Sequence, residues 1–267
     1  MREEGLRGRR QLKGTNKGSL ALRLAAVLGY WDRAKVVSGL LFDRARVEEF
    51  RRRVVEWYEA FGSRDLPWRR TRDGWAVLVA ASMLRQTTIK QVVKVYGEFL
   101  RRYPSPHSLL AASEDEVGEL IRPLGMEHRR ARQIVELARV LVQRFGGRVP
   151  CSREMLKELP GVGDYIASEV LLRVCGQVEP LLDRNMIRVV ERVFSVRSAR
   201  RNPYRDPVAR SLARSLIPED PELAEKFSFG VFDLARKVCT VKKPKCGTCP
   251  VRGLCSYSAK SGEGFRL

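Results

Sequence analysis

Residues 159–167 read "LPGVGDYIA", and this stretch decides the fold. Pro160 ends one helix, because it has no amide hydrogen for the ladder. Gly161 and Gly163 permit backbone conformations and close approaches that a Cβ would block. A second helix starts near Asp164, with its first N–H groups pointing outward. That geometry is an anion site, and a nucleic-acid phosphate fits it. The stretch is therefore the sequence form of a helix-hairpin-helix, in which Gly161, Val162 and Gly163 hold phosphate through the backbone. Taken alone, Gly-x-Gly between helices is only a tight turn, so the rest of the chain has to support the reading.

Charge supports it. The 267 residues include 51 Lys+Arg against 31 Asp+Glu, a net charge of +20. Such an excess favours a polyanionic partner, most often nucleic acid. A Lys/Arg-rich thermophile surface is the competing reading, but it raises Glu in parallel, and here the acids lag. The Arg-rich, Gln-poor composition hints at a hot-living prokaryote. The N-terminus "MREEGLRGRRQLKGTNKG" has no apolar secretory core. "SLALRLAAVLGYW" (19–31) contains Arg23 and is too short to span a bilayer. The expectation is a cytoplasmic, nucleoid-associated protein with no membrane partner. Clustered cysteines in that compartment lean toward metal rather than disulfides.

Apolar spacing outward from the hairpin is helical almost everywhere. Phe50, Val54, Trp57, Tyr58 and Phe61 share one face of a helix that Gly62 stops. Residues 76–103 read as two buried helices broken near Arg85–Thr88. Ser113 and Glu116 have capping-box spacing. Residues 128–147 form an amphipathic helix ending in Gly-Gly. Alternating β-branched runs are few, and β-hairpin signals are missing. The fold class is all-α, with roughly ten helices and no repeat. Residues 1–18 are a basic arm, and 19–45 form one or two helices without a functional reading.

Two features carry chemistry. Asp183 follows the apolar run "VEPLL" and precedes the helix "RNMIRVVERVF". A carboxylate there can cap the helix. It can also stabilise developing positive charge or activate a water. The second feature is Cys239, Cys246, Cys249 and Cys255, spaced C-x6-C-x2-C-x5-C. Four-cysteine zinc sites usually show two C-x2-C pairs, and here there is one, so spacing leaves zinc and [4Fe–4S] open. "TVKKPK", between the first two cysteines, offers Lys242, Lys243 and Lys245 to a phosphate on a short tied loop. Cys151 and Cys175 read as ordinary buried thiols.

The hairpin, "LLDRNMIRVVERVF" and the cysteine spacing together resemble the helix-hairpin-helix DNA glycosylases of the endonuclease III superfamily. "WYEAFGSRDLPWRRTRD" (57–73) and "MLRQTT" (83–88) resemble two narrower groups, the A/G-mismatch adenine glycosylases and the archaeal thymine/uracil mismatch glycosylases. The likeness covers about residues 47–258. It implies two helical subdomains with the DNA cleft between them. One is a six-helix barrel at about 75–182, with the hairpin at 159–166. The other, at about 46–74 plus 183–258, carries a [4Fe–4S] cluster in the loop 239–255. Residues 1–45 stand apart, and 259–267 are a tail.

The resemblance also implies roles. Asp183 is the catalytic carboxylate. Gln86 is an intercalating wedge, Met126 a second one, and Arg85 contacts the opposite strand or the estranged base. Members resembling endonuclease III carry a lysine at position 165 that forms a Schiff base and nicks the strand. A phenol cannot, so Tyr165 lines the pocket of a monofunctional enzyme. Two departures stand out. Ala81 lies where both relatives have a glutamate, which in adenine glycosylases protonates the leaving base. Asp164 lies where relatives have a basic residue; it costs a phosphate contact but can cap the helix. Thymine and uracil leave as anions and need the acid less. The leading expectation is a monomeric glycosylase for thymine or uracil opposite guanine in duplex DNA, with an AP endonuclease acting on its product. An adenine glycosylase is the alternative, and a non-catalytic DNA-binding module is the third reading.

Overall fold

The structure, a computed structural model, describes residues 43–195 and 207–260. The expected N-terminal arm, most of the extra helices and most of the tail lie outside the described residues. Those that are described contain twelve α-helices and no strand. Short helices at Pro106–Leu109 and Ser256–Lys260 take the number past the expected ten.

Helix α1 (Arg44–Phe61) starts where Asp43 accepts from the Ala45 N–H at 3.0 Å. Helix α2 (Gly74–Met83) is apolar all round, so it is buried all round: Trp75 to Ala81 and Met83 are inside. It ends as expected before the 85–88 break, and α3 (Ile89–Arg102) begins with a Thr88–Gln91 capping box. After α4 (Pro106–Leu109), α5 (Glu114–Ile121) begins with the expected Ser113–Glu116 box. Then come α6 (Glu127–Phe145), α7 (Arg153–Glu158) and α8 (Asp164–Arg173). α9 (Arg184–Phe194), α10 (Pro207–Leu216), α11 (Pro221–Lys237) and α12 (Ser256–Lys260) complete the chain.

These helices enclose two apolar cores. One gathers Leu78, Met83, Phe99, Ile121, Ile134, Leu141 and Leu171 from α2, α3, α5, α6 and α8. The other gathers Phe50, Val54, Val189, Val193, Phe227 and Leu234 from α1, α9 and α11. Phe50 is fully buried, with its ring centre 5.2 Å from that of Phe194 and 5.6 Å from that of Phe227, both edge-on. Truncating it to alanine would cost about 3–5 kcal/mol.

A buried ionic seam joins the two cores. Arg69 donates to Asp233 at 2.7 Å, and the two side chains are 4% and 0% exposed. Arg173, fully buried, donates to Glu169 at 3.1 Å, Glu225 at 3.2 Å and the Thr71 carbonyl at 3.1 Å. Phe229 lies 4.4 Å from the Arg69 guanidinium and 5.3 Å from that of Arg173. Charges this deep are tolerable only because each is paired and hydrogen-bonded.

Cys151 and Cys175 correct the sequence reading. They are not buried thiols: Cys151 is exposed, Cys175 half-buried, and the two form a disulfide across a sequence separation of 24. The end of α8 brings their Cα atoms to 5.7 Å, within bridging range. The expectation assumed a reducing compartment, but disulfides do occur in intracellular proteins of hyperthermophiles. The closed loop contains α7, the hairpin and α8.

Candidate active site and nucleic-acid face

Asp183 has extended backbone at the N-cap of α9. Its Oδ1 accepts from the Asn185 and Met186 N–H groups, each at 2.8 Å, and its Oδ2 from Asn185 Nδ2 at 2.6 Å. A carboxylate offers about four acceptor sites, so capping leaves one free. Burial pushes the Asp183 pKa up, and the three hydrogen bonds pull it back only in part. The residue therefore does cap its helix, and it keeps an unsatisfied lone pair.

Tyr165 lies in the first turn of α8 and packs against both cores. Burial first, then Glu169 and Asp183, push its phenol well above the ordinary range. At neutral pH it is a neutral hydroxyl that can donate a hydrogen bond. Glu169, one turn further along α8, is itself pushed up by burial and tied to Arg173. Ala81 is buried in the last turn of α2, within the first core.

In the hairpin, Gly161 has φ +78, and a Cβ there would lie 1.9 Å from Gln133 Nε2. Gly163 differs: no protein atom comes within 4 Å of the Cβ it lacks. No side chain caps α8, so its first amides are left for another acceptor. Asp164 is the first residue of the helix rather than its cap, and it faces Lys157 at 3.3 Å and Arg153 and Arg210 at 3.9 Å. Val162 is buried behind the turn.

Gln86 and Met126 are both exposed and both left-handed, with φ 56 and 52. Arg85, also exposed, donates to the Gly161 carbonyl at 3.4 Å. The break after α2, the turn before α6 and the hairpin thus meet at one face.

Cys239, Cys246, Cys249 and Cys255 form no disulfide and line one cavity with Val189, Val193 and Val238. Burial, then the other three cysteines, push Cys249 up to about 12. Four thiols crowded in an apolar cleft are poor as bare thiolates. They suit a soft iron–sulfur group that binds all four. The arginines of α9 secure the loop. Arg188 donates to the Cys239 carbonyl at 3.0 Å, and Arg192 to the Thr240 carbonyl at 2.7 Å and Cys239 Sγ at 3.3 Å. Lys242, Lys243 and Lys245 are exposed on its outer side. Helix α9 therefore carries Asp183 at one end and the cysteine loop at the other.

Sequence reasoning did not single out Asn185, Arg188, Arg192, the Glu169–Arg173 pair or Arg130. Only Arg130 left a trace: it continues the apolar spacing of Ile134, Ala138 and Leu141, and it is buried.

An all-helical fold with an uncapped hairpin helix, a carboxylate heading the next helix and a four-cysteine loop defines an endonuclease III-like repair protein. The chain belongs to the HhH-GPD superfamily of base excision DNA repair proteins, whose profile matches residues 79–214. Residues 239–255 match the iron–sulfur binding domain of endonuclease III, so the cofactor is an iron–sulfur cluster, consistent with [4Fe–4S]. The chain is 60% identical to the thymine-DNA glycosylase of Aeropyrum pernix over 218 residues, 82% of this chain and 98% of that one. It is 58% identical to the thymine/uracil-DNA glycosylase of Pyrobaculum aerophilum, over 79% of this chain and 93% of that one. The solved structure of a thermostable thymine-DNA glycosylase superposes with a TM-score of 0.76 at 33% identity, over 81% of this chain and 98% of that one. No helix among the described residues is long and apolar enough to cross a membrane.

Proposed function

We propose that this chain, a DNA glycosylase by family, hydrolyses the N-glycosidic bond of thymine or uracil mispaired with guanine and leaves the strand intact. The observation that carries the reading is the pairing of a half-buried, partly satisfied Asp183 with a neutral Tyr165 beside it.

The hairpin grips a phosphate through the amides of Gly161 and Gly163, since the Val162 N–H already donates to the Leu159 carbonyl at 3.1 Å, and the open side of Gly163 lets the backbone approach. Lys242, Lys243 and Lys245 hold the backbone further along, on a loop that the cluster shapes. The mispaired nucleotide turns out of the stack at a cost of a few kcal/mol. Gln86 and Met126 fill the gap, and Arg85 meets the opposite strand. As the bond lengthens, Asp183 stabilises the positive sugar and orients the attacking water. Tyr165 donates to the departing base or packs on it. Since no amine stands at position 165, no Schiff base forms.

Alanine at position 81 leaves a departing purine without a protonating acid, whereas thymine and uracil leave as anions. That favours a pyrimidine over the adenine alternative, as do the two relatives at 60% and 58% identity, whereas adenine DNA glycosylases match at 34–35%. The protein acts as a monomer in the cytoplasm, at the nucleoid. Its abasic product is the substrate of an AP endonuclease. The test is incubation with G·T, G·U, A·G and A·8-oxoguanine duplexes followed by alkali. Cleavage of the first two is expected, and cleavage of A·G alone would overturn the reading.

A further inference from the structure

On the face assigned to DNA, two turns each hold a non-glycine residue in the left-handed region. Gln86 follows α2 with φ 56, and Met126 precedes α6 with φ 52, directly after Gly125 at φ 72. Residues with a Cβ avoid this region unless their surroundings impose it. Both side chains also project where they are exposed, so neither is held by packing of its own.

One side chain touches the backbone of both turns. Arg130, on the first turn of α6, is 6% exposed. Its Nη1 donates to the Ser82 carbonyl at 2.8 Å and, at 3.5 Å, to that of Met83. Its Nη2 donates to the Arg85 carbonyl at 3.0 Å, one residue before Gln86. Its Nε donates to the Gly125 carbonyl at 3.4 Å, one residue before Met126. Among the described residues no carboxylate pairs with it. A buried cation without an acid is costly, and here main-chain carbonyls at the negative end of α2 offset that cost. The rigid, planar guanidinium fork suits several fixed acceptors at once. Gln91 adds a second tie, from Nε2 to the Pro123 carbonyl at 3.0 Å. Gln133, one turn beyond Arg130, lies under Gly161 of the hairpin.

We propose that Arg130 is a positioning residue that clamps the two turns at one separation, so that Gln86 and Met126 enter the duplex together. The inference rests on the reading of those two residues as wedges, and adds what couples them. A purely structural arginine, closing the end of α2, would act on stability and on all DNA contacts alike.

The test uses the full chain and a G·T duplex with 2-aminopurine beside the thymine, whose fluorescence rises when the base leaves the stack. At saturating protein, Arg130→Met should lower that rise at least about fivefold, because the wedges no longer offset the unstacking cost. Its affinity for a fully paired duplex should change less than about twofold, since phosphate contacts are untouched. Arg130→Lys, which keeps the charge without the fork, should fall between; it also serves if the methionine variant does not fold. Met126→Ala should lower the signal in the parent protein but add little in the Arg130→Met background. Normal extrusion by Arg130→Met, a parallel loss of paired-duplex affinity, or additive effects of the two substitutions would each overturn the proposal. A parent protein that extrudes no base from any mispair contradicts the function reading itself, and this inference with it.

Discussion

Asn185 holds both oxygens of Asp183: its main-chain N–H donates to Oδ1 at 2.8 Å, and its side-chain amide to Oδ2 at 2.6 Å. The cap of α9 and the carboxylate proposed for catalysis are therefore one group, and Asn185 orients it. Asn185→Ala removes a hydrogen bond that lowers the Asp183 pKa, so that pKa should rise further. Hydrogen bonds to charged groups are worth about 1.5–3 kcal/mol, so excision at neutral pH should fall about 10- to 100-fold. The acid limb of the single-turnover pH–rate profile should move upward. An unmoved limb would mean that the amide acts only on the helix.

The same shift has a consequence for stability. Burial holds the folded-state pKa of Asp183 above its unfolded value. The native state then keeps this proton to higher pH than the unfolded chain does. The stability so contributed is fully present below the unfolded pKa and is lost as pH rises through the folded one. Asp183→Asn keeps a good cap and removes the buried charge. Its urea midpoint should equal or exceed the parent's at pH 7, and the advantage should vanish once both carboxyl forms are protonated in acid.

Tyr165 stands where an amine would give a different reaction. Tyr165→Lys puts a nucleophile beside Asp183, in the site proposed to receive the sugar. Borohydride should then trap a covalent protein–DNA adduct on a G·U duplex, and strands should nick without alkali. The parent protein should do neither. Trapping by the parent would show that another amine reaches the sugar.

The Cys151–Cys175 bond closes a loop around the hairpin with a sequence separation of 24. By chain entropy, a loop of this size is worth about 3 kcal/mol. Reductant should lower the melting temperature of the parent protein and leave a Cys151→Ala/Cys175→Ala variant unchanged. Equal melting curves with and without reductant would mean that the bond adds nothing to stability.

What the sequence revealed was what local rules govern. The Ser113–Glu116 box, the break near residue 85 and the hairpin rest on spacings of a few residues, and the structure has all three. The cysteine loop was legible as a binding motif, but spacing alone did not separate zinc from iron–sulfur. Arg130 left only its register: "HRRARQ" presents three arginines, and the apolar spacing of Ile134, Ala138 and Leu141 marks which one turns inward, but not what it binds. Asp164 looked like a cap, yet the cap is Gly163, one residue earlier, and the acid opens the helix as an ion-pair partner. The disulfide and the Arg69–Asp233 seam join positions 24 and 164 residues apart, distances at which no local pattern reports.

The most direct test of the central claim, hydrolysis driven by Asp183, is a paired measurement on Asp183→Asn. Binding to a G·T duplex and single-turnover excision of its thymine would be followed at the same protein concentrations. Binding should stay within about threefold of the parent, since phosphate contacts are untouched. Excision should drop by three or more orders of magnitude, roughly 4 kcal/mol of lost transition-state stabilisation. Excision at the parental rate with binding intact would contradict the account.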